Sequence, residues 1–582
     1  MNILRQNVAL LSLGIQFLWL FVIFYTDKTI AQNVLKSEQI SQIPPRVIPP
    51  RPTAPPLPIP QPLPEVPLET PSPSPPITPE LPQIPGNITV SQFIFEGNTA
   101  FSNEELTAVT APFINRPITF AELLQAEAAI TKSYTNAGYI NSGAIIPANQ
   151  TLNQNAAIVK IQIIEGGLED IQVTVDGRLK SEYIRSRLAL ATTKPLNQNR
   201  LLEALQLLQL NPLVENISAE LSTGSRPELS LLTVRVKEAD TFNMELVADN
   251  GRNPSVGSFQ RGLRIIEDNV LGYGDGFFLE YINTNGSNNL DLRYSIPINP
   301  RNGTVILAGG INYSRVIEDP FDELDITGNS AYFELTIRQP VIQTPKHEFA
   351  LGVTASHQES NNEILGINYP LSPGADENGQ TRISALRFFQ EWLQRSPQDV
   401  LAVRSQFNVG LGIGSTVNAH SPDSLFFNWR GQGQYVRLLA PDTLFVIRSD
   451  LQLADRALVP LEQFAVGGLY SVRGYRQDLL LTDNGFFTTA EVRLPILRVA
   501  SIKGVLQVVP FVDFGVGWNN GNNPIPTPSP NTLIGVGLGL QWQMSDRLTA
   551  RFDWGIPLTK VNQSNDSLQE QGLYFSLNLS LF

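Results

Sequence analysis

The sequence predicts an all-β transmembrane barrel of 16 antiparallel strands preceded by two small α+β domains, and three observations predict it. Residues 241–582 break into about sixteen short segments of alternating apolar and polar residues, roughly twenty-one residues per strand plus connection. The connections between them alternate between short and mostly longer. Ahead of them the element order β-α-α-β-β occurs twice.

Composition removes several other classes. The formal charge of -13 argues against nucleic acid as a partner. The absence of cysteine excludes a thiol nucleophile, a disulfide framework and thiolate metal sites. His347, His357 and His420 lack the spacing of a metal box, so neither a metal nor a cofactor is expected. There is no Gly-x-Ser-x-Gly elbow and no convincing Ser/His/Asp constellation, so an enzyme is not expected.

Residues 1–31 read as a secretory signal peptide: Arg5, an apolar run from Val8 to Tyr25, and the small-residue exit Thr29-Ile30-Ala31. An uncleaved anchor is the alternative, because the run sits at the lower limit for spanning a bilayer. Residues 32–86 form a periplasmic tether in which proline recurs from Pro44 to Pro85. Proline lacks the N–H that a helix interior or a central strand needs, so this stretch is expected to be an extended, semi-rigid spacer.

Residues 87–165 form the first α+β unit. Ile88–Glu96 mostly alternates and breaks at Gly97-Asn98; helices follow at 102–111 and 119–137, the first opened by the capping box Ser102…Glu105. Strands at 139–146 and 156–164 complete it. Residues 166–239 repeat the order, with a strand at 168–175, Asp176-Gly177, helices near 181–190 and 197–210, and strands near 214–221 and 229–236. The order resembles the polypeptide-transport-associated (POTRA) domain. A three-stranded sheet of this kind leaves an edge that can accept an extended partner chain; a rigid spacer would use the same elements.

Residues 240–582 are read as the barrel. Its short connections (Pro300–Gly303, Thr344–Lys346, Ala440–Asp442, Ser545–Arg547) should face the periplasm. The longer ones (316–328, 359–379, 455–484, 519–531, 560–570) should face outward. The C-terminal segment from Tyr574 to Phe582 alternates and ends on an aromatic, resembling the terminal insertion signal of outer-membrane proteins, and it must also close the barrel.

The inserted loop 455–484 carries Gly467-Gly468-Leu-Tyr-Ser-Val472-Arg473-Gly474-Tyr475, too rich in glycine and charge for a strand or helix. Phe511-Val512-Asp513-Phe514-Gly515 lies two strands later. Asp513 sits between two apolar neighbours, so alternation turns its carboxylate inward, where an arginine on an inserted loop can form a bidentate pair. Gly474 permits close approach to the wall, and the Tyr475 hydroxyl needs a partner. Read as an isolated pair, Arg473 and Asp513 should tolerate exchange of their charges better than loss of either one.

Val472-Arg473-Gly474-Tyr475, Phe511-x-Asp513-x-Gly515, the two POTRA-like units and the sixteen-strand pattern together resemble the TpsB transporters of two-partner secretion. That resemblance implies a bacterial outer-membrane pore with POTRA domains in the periplasm, set in lipid and assembled by the barrel-assembly machinery. It implies export of one large exoprotein, a β-helical adhesin or haemolysin, with the loop arginine paired to the wall aspartate. The long proline tether departs from the family's plug helix and shorter linker. An insertase for other outer-membrane barrels is the neighbouring alternative. Neither glycine run, 272–276 or 410–414, has the lysine of a nucleotide site, so export should not consume nucleotide.

Overall fold

The computed structural model describes residues 68–69, 87–148, 150, 153, 156–562 and 566–582. The expected signal segment, the site of any plug helix and most of the tether lie outside the described residues. The tether does contribute one element: β1 (Leu68–Glu69) pairs in parallel with the second α+β unit. A pure spacer would pair with nothing.

In the first unit, β2 (Ile88–Glu96), α1 (Asn103–Thr110), β3 (Pro117–Ile118), α2 (Phe120–Asn136), β4 (Gly143–Ile145) and β5 (Ala157–Ile164) build a sheet ordered β3-β2-β5-β4. The capping box at Ser102 and Glu105 is formed, and a second one, Thr119 with Glu122, opens α2. Alternation in β5 buries Ala157, Val159, Ile161 and Ile163 against Leu123, Ala126 and Ile130 of α2. The strand expected at 139–146 shortens to β4. Gly138, at φ +91, ends α2, and Tyr139 turns its ring against Phe101 and Tyr134 instead of extending.

The second unit repeats the plan with β6 (Gly167–Asp176), α3 (Ser181–Ala191), α4 (Gln198–Gln209), β7 (Val214–Thr223) and β8 (Leu229–Glu238), in the sheet order β1-β7-β8-β6. Both sheets therefore have four strands, not three, and in the second unit one edge is already occupied by β1.

The barrel strands are β9 (Phe242–Asp249), β10 (Gln260–Glu267), β11 (Gly276–Asn283), β12 (Ser287–Pro297), β13 (Thr304–Arg315), β14 (Thr327–Gln343) and β15 (His347–Ile364). After the two-residue β16 (Ile367–Asn368) come β17 (Gln380–Arg395), β18 (Asp399–Leu411), β19 (Phe427–Ala440) and β20 (Thr443–Ala454). The inserted loop holds a small hairpin, β21 (Phe464–Val466) and β22 (Leu480–Thr482). Then β23 (Asn484–Val499), β24 (Gly504–Trp518), β25 (Thr532–Met544), β26 (Leu548–Pro557) and β27 (Leu573–Ser580) complete a closed antiparallel cylinder of sixteen strands. Closure runs from Ser576 opposite Asp249 to Ser580 opposite Glu245, so the ladder has no open edge in lipid. Alternation sets the two faces. Leu538, Leu540, Phe552 and Trp554 are exposed outward, while Gln541 and Asp553 on the same strands are buried inside.

Short turns fall on the side of the α+β units with one exception, residues 268–275. That longer turn is the seat of the second unit. The Lys180 amide donates to the Gly272 carbonyl at 2.9 Å, and its ammonium lies 3.5 Å from the Tyr273 ring centroid. Arg178 reaches Glu267 at 2.8 Å. A Cβ at Gly272, whose φ is +89, would stand 2.7 Å from the Arg178 carbonyl. Gly272 and Gly274 thus make room for the second unit, whereas a Cβ at Gly276 would meet Ser295 of the barrel itself.

Glu165, only 6% exposed where the first unit meets the second, accepts from the amides of Thr99 (2.6 Å) and Ala100 (2.8 Å), the Tyr134 hydroxyl (2.9 Å) and the Thr99 hydroxyl. Burial alone would raise its pKa, but the Thr99 hydroxyl, the two amides and Tyr134 outweigh it and hold the carboxyl below its ordinary value. A lowered folded pKa stabilises above the unfolded value and is lost as pH falls through the folded one. Glu165→Gln should therefore loosen residues 97–101 by roughly 1.5–3 kcal/mol in hydrogen exchange of the full chain at pH 7. The difference from the unsubstituted protein should shrink below about pH 4.

Candidate functional site

Between β20 and β23 the chain leaves the wall and returns into the bore. Its arms pair as the β21–β22 hairpin, and the segment carries its own apolar core: Phe464, Val466, Val472, Tyr475 and Leu480, packed on Leu533 of β25. Gly467 and Gly468 have φ of +117 and +96, which L side chains rarely adopt, so they let the hairpin end in a tight reversal. The tip 471–476 then lies across the inner faces of β24, β25 and β26.

The wall beneath the tip is made of glycine. A Cβ at Gly515 would press on Val472 at 2.8 Å, one at Gly535 would overlap the Arg473 carbonyl oxygen, and one at Gly555 would stand 2.6 Å from the Gly474 amide nitrogen. Gly474 itself, at φ +103, approaches the Pro557 nitrogen to 3.0 Å from its Cβ position. The backbone of the loop thus lies directly on the backbone of the barrel.

Arg473 is 4% exposed and Asp513 0%. The guanidinium donates through Nε to Oδ2 and through Nη2 to Oδ1 of Asp513, both at 2.8 Å, while the Arg473 amide adds a third bond to Oδ2 at 3.0 Å. Cζ stacks 3.4 Å from the Phe511 ring centroid. The remaining nitrogen, Nη1, faces Asp553 at 3.4 Å and Glu491 at 3.6 Å. Glu491 is also held by Arg493 and Arg551, each at 2.8 Å, and Arg551 reaches Asp553 at 2.8 Å. Three arginines and three carboxylates form one connected network across β23, β24 and β26. Isolated charges could not be buried here, because desolvation costs several kcal/mol per ion unless geometry and added hydrogen bonds offset it.

Every named residue of the loop and wall motifs lies in this assembly. The Tyr475 hydroxyl donates to the Ile534 carbonyl at 2.8 Å and accepts from the Thr559 amide at 3.0 Å. Tyr574, read from sequence as part of a terminal signal, is fully buried in the bore: its hydroxyl donates to the Tyr475 carbonyl at 2.6 Å and accepts from the Gly474 amide at 2.9 Å. Phe582 is 73% exposed, its ring 6.0 Å from that of Phe242. The sequence reading missed Asp553, Glu491, Arg493 and Arg551. Asp553 stands between Phe552 and Trp554, the same signal that turned Asp513 inward.

Further anchors hold the rest of the loop. Arg387 of β17 makes a bidentate pair with Glu462 at 2.6 and 3.1 Å, and Arg476 pairs with Glu318 at 3.0 Å. Asp483, fully buried, accepts from the Leu458 and Asn520 amides at 2.9 Å and from the Asn523 side chain at 2.9 Å. The loop is therefore clamped at its tip, on both arms and at its outer base.

The network also revises the exchange expectation. An aspartate at 473 would face Asp553 and Glu491 at like charge, so exchanging Arg473 with Asp513 should not restore the clamp.

A family model described as haemolysin secretion/activation protein ShlB/FhaC/HecB matches residues 228–542, and one for the ShlB-type POTRA domain matches residues 88–166. The haem/haemopexin transporter protein HuxB of Haemophilus influenzae (strain 86-028NP) is 23% identical over 452 residues, covering 74% of this chain and 76% of its own. The outer membrane transporter CdiB of Dickeya dadantii (strain 3937) is 22% identical over 430 residues, covering 70% and 74%. The solved structure of CdiB from Escherichia coli superposes with a TM-score of 0.67 at 20% identity, covering 88% of this chain and 93% of that one.

Three substitutions test the clamp by hydrogen exchange of residues 467–478. Gly535→Val should expel the tip and raise exchange there at least ten-fold while the barrel ladder keeps its protection. Arg473→Ala should release the tip more than Asp513→Asn does, because the arginine retains Asp553 and Glu491 when Asp513 is neutralised.

Proposed function

This chain belongs to the haemolysin secretion/activation family of outer-membrane transporters, and we infer that it exports one large exoprotein through its barrel, with loop 455–483 acting as the internal gate. The barrel sits in the bacterial outer membrane, and the two POTRA units lie in the periplasm. The description of the family, haemolysin secretion/activation, supports a protein cargo, and the resemblance points to a β-helical adhesin or haemolysin. The proposed order of events is capture of the cargo in an extended state by the POTRA units, entry at the periplasmic mouth, and passage beside or in place of the loop. The barrel-assembly machinery and the surrounding lipid are its partners during insertion, for which the C-terminal strand ending at Phe582 is the proposed signal.

The observation that carries the gate is the buried Arg473–Asp513 clamp. A charged network, buried at Arg473 and Asp513 and laid on a glycine floor, holds the loop tip in one place through ion pairs and hydrogen bonds that can re-form after release. A permanent plug could be built more stably from apolar packing alone. No nucleotide step and no enzymatic chemistry is proposed; folding of the cargo outside the cell supplies the direction.

Arg473→Ala should leave the barrel inserted at normal abundance but reduce surface display of the exported protein about ten-fold or more. Arg473→Lys, which keeps the charge but loses the fork, should recover only part of it. Normal display by Arg473→Ala would reject the gate. Depletion of the transporter should remove one surface protein; loss of many barrels would indicate insertion as its task.

A further inference from the structure

Arg448 stands beside the clamp without belonging to it. It shares the inner face of β20 with Asp450 and Gln452, yet it is exposed to the bore, and among the described residues its side chain makes no hydrogen bond and no ion pair. It feels the charges of Glu491, Arg493, Arg551 and Arg473, so it lies at the rim of the network. The register places it more closely. Arg448 is opposite Thr489 of β23, and Thr489 is opposite Asp513 of β24, so Arg448 and Asp513 share one level of the wall with a single small side chain between them. Two strand spacings, about 9.5 Å, separate their backbones.

That span is bridged elsewhere on the same wall. The Tyr332 hydroxyl of β14 donates to Asp291 of β12 at 2.6 Å across Gly310, which lies opposite both residues. Arg338 of β14 reaches Glu391 of β17 at 2.7 Å across β15.

Release of the loop tip creates the need for such a reach. Among the described residues, every hydrogen bond to the Asp513 carboxylate comes from Arg473, so Asp513 loses all of them when the tip leaves. Asp553 keeps Arg551, and Glu491 keeps Arg551 and Arg493. Two arginines then face three carboxylates, and the surplus negative charge draws Arg473 back. An acid left without its cation on a low-dielectric wall is the costly state.

We propose that Arg448 is a positioning residue that takes the place of Arg473 on Asp513 when the loop tip leaves, and so holds the bore open for the cargo. While the loop is seated, Arg473 occupies both Asp513 oxygens and Arg448 remains in the water of the bore. On release it supplies the missing charge from the wall itself, by a change of side-chain rotamer. The network is then neutral with the loop seated and with the loop gone. This rests on the gate reading above.

Phenylglyoxal, which modifies unpaired guanidinium groups, reads the change of partner by mass spectrometry of the purified full chain. Arg448 should react readily in the unsubstituted protein and about ten-fold more slowly in Arg473→Ala, although departure of the tip widens access to it. Adding Asp513→Asn to Arg473→Ala should return the rate to within about two-fold of the unsubstituted protein. In cells, Arg448→Gln should lower display of the surface protein that depends on this transporter at least five-fold, while hydrogen exchange of residues 467–478 in the purified variant stays unchanged. Arg448→Lys, which keeps the charge, should retain at least half of the display. Equal reactivity in the unsubstituted protein and Arg473→Ala, slow reaction that persists with Asp513→Asn, normal display in Arg448→Gln, or a ten-fold rise in its exchange at the tip would each overturn the stand-in role. Normal display in Arg473→Ala, with the reactivities as expected, would overturn the gate and leave the change of partner intact.

Discussion

Placing a guanidinium where no water reaches it is the constraint on which this architecture turns. Arg473 cannot sit in the bore unless an inward carboxylate meets it in a planar fork, which fixes Asp513 on β24 and the register that turns it inward. The remaining guanidinium face then requires Asp553, and the charge of that residue with Glu491 requires Arg551 and Arg493. None of these contacts forms unless the loop backbone lies against the wall, which requires Gly515, Gly535 and Gly555. Strand register, glycine placement and ion network are one solution to one electrostatic problem.

The same logic explains why the structure is stiff in some places and replaceable in others. The barrel ladder is continuous, and its seam from β27 to β9 leaves no unpaired edge in lipid. The loop rests on polar contacts distributed over its tip, arms and base, together with one small apolar cluster that it shares with Leu533 and Phe487 of the wall. The second α+β unit is seated on the barrel through the 268–275 turn and through Arg178 on Glu267.

Much of this was legible in the residues. Period-two alternation and alternating connection lengths gave the cylinder, because lipid and lumen impose opposite preferences on neighbouring side chains. The repeated β-α-α-β-β order gave the two periplasmic units. Asp513 between Val512 and Phe514 gave the inward acid. Other features escaped for physical reasons. Asp553 lies between Phe552 and Trp554 and obeys the same rule, but nothing local ties it to a loop some eighty residues earlier. Gly535, Gly537 and Gly539 recur at every second position of β25 and make room in turn for the Arg473 carbonyl, the Phe511 ring and the Asp553 carboxylate; in the sequence alone the pattern is indistinguishable from relief of crowding. Tyr574 pointed to the chain's end, while its hydroxyl belongs to the loop tip. The β1 strand was hidden by the prolines around it, since composition describes an average and two proline-free residues suffice to pair.

The most direct test of the central claim is the conductance of the purified full-length protein in a planar bilayer. If the Arg473 clamp holds the loop in the bore, Arg473→Ala should open to larger and longer-lived conductance levels than the unsubstituted protein, with an unchanged β-sheet signal by circular dichroism. Identical conductance and open times in the two proteins would contradict the account.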